Sequence, residues 1–111
     1  MKRGEVLIAG GEPTVVTHGE GKGGRCSELA VRVALAATEP MEALFASSDG
    51  VDGSTGVAGF HISVPVQLDR AAAQRELARS NSYVVAASIG KALTMVPTGN
   101  NLRDLYLLAR S

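Results

Sequence analysis

A glycine-rich loop carrying two cations, at residues 19–25, is the feature that most constrains how this chain folds. It lies between a run with strand character, Thr14 to Thr17, and a run with helical character, Leu29 to Ala37. A strand, a glycine loop and a helix in that order make an anion site, because the helix N-terminus offers unpaired amides and partial positive charge. Lys22 and Arg25 add formal charge, so the loop predicts phosphate or carboxylate binding. The alternative is a plain connection between strand and helix.

The composition indicates one soluble globular domain covering residues 1–111. Lysine plus arginine equals aspartate plus glutamate, 11 each. A net charge of zero argues against general binding to nucleic acids or to anionic membranes. The single cysteine cannot form an internal disulfide, and we therefore expect a cytoplasmic location. We expect no secretory signal and no membrane span, since no run reaches roughly 20 apolar residues.

The pattern of apolar and turn residues predicts an α/β layered sandwich with a mixed sheet, in the order β-β-α-β-β-α-α-β-β. The clearest helix covers residues 25–38 and ends before Pro40. Asp69 is placed to cap a polar helix over 70–79, and a short apolar helix follows from Tyr83 to Ile89. Strands are expected at 5–9, 13–17, 41–48, 57–64, 92–96 and 102–109.

The spacing of the glycines in the loop also matches the dinucleotide-binding fingerprint. Gly19, Gly21 and Gly24 match G-x-G-x-x-G, but Glu39 and Asp49 fit only loosely the acidic residue that should hold a ribose. A Walker A motif is absent from the sequence. The fingerprint therefore gives only weak support to nicotinamide binding.

Two polar turns and one cysteine are the remaining candidates. Asp49 and Asp52 follow a predicted buried strand, where carboxylates either hold Mg²⁺ beside substrate phosphates or bond to the local backbone. The turn at 98–101 either presents amides to a ligand or serves as a hairpin loop. Cys26 lies in the first turn of a helix beside a cation, which predicts a lowered pKa for its thiol. No histidine base is placed near it, so we interpret it as structural, like His61 within a strand.

Five blocks of sequence, taken in order, resemble the MOFRL domain. That domain is the C-terminal part of glycerate 2-kinases of the bacterial and archaeal type, many of which are also described as hydroxypyruvate reductases. The resemblance covers nearly the whole chain, and five spaced blocks are far more specific than one glycine motif. The blocks are GGEPTV at 10–15, GGRCSE at 23–28, SDGVDGSTGVAG at 48–59, SNSY at 80–83 and VPTGNNLRDL at 96–105.

The resemblance implies transfer of the γ-phosphoryl group of ATP to a hydroxyl of D-glycerate, with Mg²⁺. Arg25 and the backbone around Gly23 and Gly24 would hold an anionic group, and acidic residues would organise the site or its metal. The residues expected to bind substrate or phosphate are Glu12, Lys22, Gly23, Gly24, Arg25, Thr98 and Asn101, with Asp49 and Asp52 for Mg²⁺.

Departures from the family pattern bear on activity. The Asn-Gln pair that follows the arginine in the family is Cys26-Ser27 here, and the large N-terminal domain with its catalytic lysine is not in this sequence. We therefore expect a domain that is incomplete as an enzyme and needs an N-terminal kinase domain or a partner chain. The alternatives are a non-catalytic binding or self-association domain, acting as a homo-oligomer, and a nicotinamide-dependent hydroxypyruvate reductase.

Overall fold

The computed structural model describes residues 4–11, 23–47, 52, 55–94 and 104–110. The strand predicted at 13–17 lies outside these residues. Every other predicted element is found, with bounds shifted by a few residues. In chain order the elements are β1 (Val6–Gly11), α1 (Arg25–Ala36), β2 (Met41–Ser47), β3 (Gly59–Val64), α2 (Arg70–Ala78), α3 (Ser82–Ile89), β4 (Gly90–Leu93) and β5 (Asp104–Arg110).

The sheet confirms the α/β class and corrects one detail. Its strand order is β1-β5-β2-β3-β4, and every described pairing is antiparallel, whereas the sequence predicted a mixed sheet. The reason is the position of β5. Strands β1 and β2 run in the same direction and are joined through α1, but β5 lies between them and is antiparallel to both. The last strand of the chain, β5, thus separates β1 and β2, which are parallel to each other and would otherwise pair as neighbours.

The core lies between α1 and the central strands β2 and β3. Helix α1 buries Ala30, Val31 and Ala34, whose spacing of one and four residues matches the helical repeat. Phe45 on β2 and Phe60 on β3 pack beneath them. Small alanines on the helix allow close approach to the aromatic side chains, which bury the largest apolar areas in the core.

The two later helices lie within one residue of their predicted bounds. Asp69 Oδ1 accepts a hydrogen bond from the Ala72 amide at 3.0 Å, which confirms the predicted cap of α2. Helix α3 begins at Ser82, which is buried, and packs on α1. None of the described helices has the length and apolar character needed to cross a membrane.

One end of the sheet, which we call the loop end, contains described residues of the sequence blocks quoted above. It is formed by Gly11, Ser47, Gly59, Leu93 and Asp104. Asp104 is central, because it is in register with the last residue of β1 on one side and of β2 on the other. Helix α1 starts at the same end. The fold therefore brings blocks that are distant in sequence to one edge of the molecule.

Candidate functional site

A partly buried ion pair between α1 and β5 lies at the loop end. Arg25 Nε donates to Asp104 Oδ2 at 2.7 Å, and Arg25 Nη2 lies 3.2 Å from Oδ1. The Asp104 side chain is fully buried and that of Arg25 is 33% exposed. The hydroxyl of Tyr106 also donates to Asp104 Oδ2, at 3.0 Å. Because guanidinium and carboxylate meet through two bonds, the pair fixes the first residue of α1 against the start of β5.

Asp52 occupies the N-terminus of α1. Its Oδ1 accepts from the amide of Cys26 at 2.8 Å, and its Oδ2 accepts from the amide of Ser27 at 2.9 Å. Asp52 is itself buried. These amides are among those that a helix leaves unpaired, and a carboxylate beside them is stabilised by the helix dipole. The anion that α1 holds in this structure is therefore the chain's own carboxylate.

Close backbone contacts explain two of the glycines. A Cβ atom added at Gly24 would lie 2.5 Å from Asp52 Oδ1, and one added at Gly23 would lie 2.5 Å from Ser82 Oγ. Ser27 completes the arrangement, because its Oγ accepts from the Gly24 amide at 2.9 Å and lies 2.8 Å from Ser82 Oγ. These glycines thus allow Asp52 and α3 to approach the start of α1.

Burial is the largest influence on the pKa values of Asp52, Cys26 and Tyr106. It raises the pKa of Asp52, while the hydrogen bonds from the Cys26 and Ser27 amides act in the opposite direction. Burial also raises the pKa of the Cys26 thiol, and the nearby Asp52 and Asp104 raise it further. The lowered pKa predicted for Cys26 is therefore wrong, because the effect of the adjacent cation is smaller than that of burial. The pKa of Tyr106 is raised by burial and by its hydrogen bond to Asp104.

These shifts predict that the folded state loses stability at alkaline pH. Cys26 and Tyr106 keep their protons when folded, whereas the unfolded chain releases them from about pH 8.5 for cysteine and about pH 10 for tyrosine. The unfolded state then binds fewer protons, so the free energy of unfolding falls as pH rises, by up to about 1.4 kcal/mol per pH unit for each group. Urea unfolding between pH 7 and pH 10 measures this slope. The slope should be shallower in Cys26→Ala. A slope equal to that of the wild-type chain would contradict the contribution assigned to Cys26.

The sequence-predicted site residues fall into two groups. Gly23, Gly24, Arg25 and Asp52 are described, and the structure brings them together around the start of α1. The other predicted residues lie outside the described part of the chain, so their roles stay predictions: Glu12, Lys22, Asp49, Thr98 and Asn101. They belong to segments that leave from or return to Gly11, Ser47 and Asp104 at the loop end.

The sequence pattern predicts no site role for Asp104, Tyr106 or Ser82. Asp104 belongs to the last of the five blocks, so the signal was present in the resemblance. Its partner Arg25 lies 79 residues earlier, and no local pattern joins the two positions. His61 contacts Glu42, with its Nε2 atom 3.4 Å from Oε2, in agreement with a structural role.

Metal ligands are not clustered in the part of the chain that the structure describes. Within it, no group of three or more His, Cys, Asp or Glu residues is arranged to hold an ion. Both oxygens of Asp52 accept backbone amides, and both oxygens of Asp104 contact Arg25. Neither carboxylate, as arranged here, fits a ligand of Mg²⁺. The role predicted for Asp52 at a metal stays a prediction that this geometry does not favour.

Comparisons with known proteins agree with the five sequence blocks. Residues 5–104 match the MOFRL family. The chain is 36% identical to rat glycerate kinase over 115 residues, covering 92% of this chain and 22% of the rat protein. It is 34% identical to the D-glycerate 2-kinase of Thermotoga maritima, covering 96% of this chain and 27% of that enzyme. The crystal structure of a glycerate kinase from Thermotoga maritima superposes with a TM-score of 0.78 at 32% identity, over 100% of this chain and 28% of that one.

Proposed function

The chain belongs to the MOFRL family, and on that premise we propose that it forms one side of a glycerate kinase active site. The reaction is transfer of the γ-phosphoryl group of ATP to a hydroxyl of D-glycerate. The chain spans about a quarter of the length of the relatives that it matches. In this proposal an N-terminal kinase domain or a partner chain supplies the other side of the cleft.

The observation that carries the proposal is the convergence of the family's blocks at the loop end. The blocks around Gly11, Arg25, Asp52 and Asp104 are separated by up to 93 residues, yet hydrogen bonds and strand register link them at one edge. The register of β1 on β5 joins the first block to the last. A cleft assembled from several loops at one end of a sheet is a common location for ligand binding.

We assign the described residues of the cluster to positioning. The Arg25–Asp104 pair and the Asp52 cap hold the start of α1 in place, so that the loop before it is presented from a rigid base. The residues that face substrate phosphate or carboxylate are then Lys22 and the guanidinium face of Arg25. Phosphoryl transfer depends on positioning and on neutralising charge, which suits this division of roles. Glu12, Thr98 and Asn101 line the same cleft in the proposal.

ATP and Mg²⁺ belong to the proposed reaction because the family resemblance implies both, and the relatives named above are kinases. Since neither Asp52 nor Asp104 fits an Mg²⁺ ligand in the described arrangement, we derive no step through the metal. Asp49 remains the acidic residue proposed for it from this chain. We place the protein in the cytosol, where a single cysteine stays reduced.

The proposal predicts weak binding of small anions that depends on Lys22 and Arg25. Isothermal titration calorimetry with inorganic phosphate, and separately with D-glycerate, should show dissociation constants near 1 mM at low salt. Lys22→Ala and Arg25→Lys should weaken binding about tenfold, because one removes the charge and the other removes the fixed guanidinium geometry. Arg32→Ala is the matched control, since Arg32 lies on the exposed side of the same helix and pairs with Glu28.

Two results would contradict this assignment. One is the absence of binding heat with either ligand for the wild-type chain at millimolar concentration. The other is an equal loss of affinity in Arg32→Ala, which would indicate a general charge effect. Amide chemical shifts of Gly23 and Gly24, followed during the same titration, locate the ligand independently of its heat.

A non-catalytic binding domain is the second candidate, and one observation favours it. The amides of Cys26 and Ser27, which the sequence offered to an external anion, are bonded to Asp52 instead. The nicotinamide-dependent reductase gains no such support. Dinucleotide folds of that kind use a parallel sheet with a strand-order switch, and the described sheet is antiparallel throughout.

A further inference from the structure

Strand β1 presents an apolar surface on both faces of the sheet. It is an edge strand in the described sheet, paired on one side with β5. Three consecutive residues are exposed, Val6 at 62%, Leu7 at 49% and Ile8 at 67%. The helices pack chiefly against β2, β3 and β4 rather than against β1. Leu105 of β5 is exposed beside this strand and extends the patch.

The ladder with β5 determines which groups of β1 point away from β5. The amide of Arg110 donates to the carbonyl of Glu5 at 3.0 Å, which makes these two residues a hydrogen-bonded pair. In an antiparallel ladder such pairs alternate, so Leu7 also directs its backbone groups to β5. Val6, Ile8 and Gly10 therefore direct their backbone amides and carbonyls to the opposite edge, which no described strand covers and which we call the open edge.

The sequence of β1 carries none of the usual protections of an edge. Its six residues, VLIAGG, contain no charge and no proline, whereas natural edge strands are commonly blocked by lysine, proline or a bulge. An isologous antiparallel pairing centred on Ile8 places Val6 opposite Gly10 and Glu5 opposite Gly11. No like charges face one another in that register, and each large side chain of one strand lies beside a small residue or beside Ile8 of the other.

We propose that the open edge of β1 pairs antiparallel with β1 of a second copy of this chain, the two Ile8 residues lying opposite one another on a two-fold axis. The pairing extends the sheet from five to ten strands. It satisfies the outward backbone groups and brings the exposed side chains of two strands together. A single strand pair is smaller than a standard interface of roughly 1,600 Å², so the dimer is concentration-dependent. The inference is independent of the kinase proposal.

Sedimentation velocity tests the association directly. Between about 10 µM and about 1 mM, the wild-type chain should shift from monomer towards twice the monomer mass. Ile8→Lys should weaken association at least about tenfold, since two lysines would face each other across the axis. Val84→Lys is the matched control, because Val84 is an exposed apolar residue on α3, away from the edge, and should dimerise like wild type. A wild-type chain that stays monomeric, or equal losses in both variants, would overturn the proposal.

Cross-linking tests the register without relying on a disruptive variant. In a hydrogen-bonded antiparallel pair the Cα atoms are about 5.5 Å apart, which is within the range of a disulfide. Ile8→Cys should therefore form a covalent dimer under mild oxidation, whereas Val84→Cys should not. The native Cys26 is buried and does not interfere. Failure of Ile8→Cys to cross-link in a sample that sediments as a dimer would exclude this register.

Discussion

Replacing Asp52 with alanine should lower the free energy of unfolding by about 3 kcal/mol, through the loss of a buried contact that connects two distant parts of the chain. The substitution leaves the amides of Cys26 and Ser27 without their acceptor inside the protein. An unsatisfied buried donor costs about 1–3 kcal/mol, and two donors are affected. Removing the carboxylate also relieves the cost of burying it, which keeps the expected total in the lower half of the resulting range of about 2–6 kcal/mol. The midpoint temperature of thermal unfolding should fall by roughly 12 °C or more.

Two further variants separate this effect from ordinary helix capping. Asp52→Asn retains one acceptor oxygen, so we expect a loss of about 2 kcal/mol. Asp69→Ala removes the cap of α2, where an exposed carboxylate accepts one amide, and should cost about 1 kcal/mol. Urea unfolding monitored by circular dichroism measures all three variants. If Asp52→Ala cost no more than Asp69→Ala, the buried double contact would contribute nothing beyond a surface cap.

Much of the fold could be predicted because its signals are local. The glycine loop predicts the start of α1 at residue 25, as observed, and Pro40 predicts an end at residue 38, two residues beyond the observed one. The capping aspartate and the polar run after it gave α2 directly. The antiparallel pairing could not be predicted, because the position of β5 between β1 and β2 depends on contacts between residues about 100 positions apart. Patterns within a short stretch of sequence do not indicate which distant strands pair with one another.

The contacts around the start of α1 could be predicted only in part. The sequence indicated an anion beside the first turn of α1, and the structure places a carboxylate there. That carboxylate is Asp52, which the sequence assigned to a separate metal site 26 residues further along the chain. The prediction treated the glycine loop and the acidic loop as two sites, whereas their residues contact one another in a single cluster.

The cluster has a consequence for any ligand of the loop end. Arg25 contributes one positive charge, while Asp52 and Asp104 contribute two carboxylates within hydrogen-bonding distance of it or of its neighbours. An additional anion therefore needs charge from elsewhere, and Lys22 is the nearest cation in the sequence. This requirement explains why affinity in the isolated chain should be weak. Under the proposed function, the other side of the kinase cleft would supply positive charge opposite this edge.

Removing the arginine of the buried pair should have an effect of similar size. In Arg25→Met the Asp104 carboxylate stays fully buried. Of the side-chain donors described above, it keeps the Tyr106 hydroxyl. Breaking a buried pair in this way costs about 3–5 kcal/mol, and partial exposure of the guanidinium places our expectation at about 3 kcal/mol. Arg32→Met, which breaks an exposed pair with Glu28 on the same helix, should cost less than about 0.5 kcal/mol.

A double-mutant cycle attributes the loss to the orphaned charge. If the cost arises because Asp104 is left buried without its cation, then Asp104→Asn in the Arg25→Met background should recover about half of it. The same Asp104→Asn change in the wild-type background should be destabilising, since it leaves Arg25 without a charged partner. Urea unfolding of the four proteins at pH 7 gives the coupling energy, for which we expect about 1–3 kcal/mol. A coupling near zero would mean that Arg25 stabilises the start of α1 through packing of its aliphatic stem, and that the ion pair is incidental.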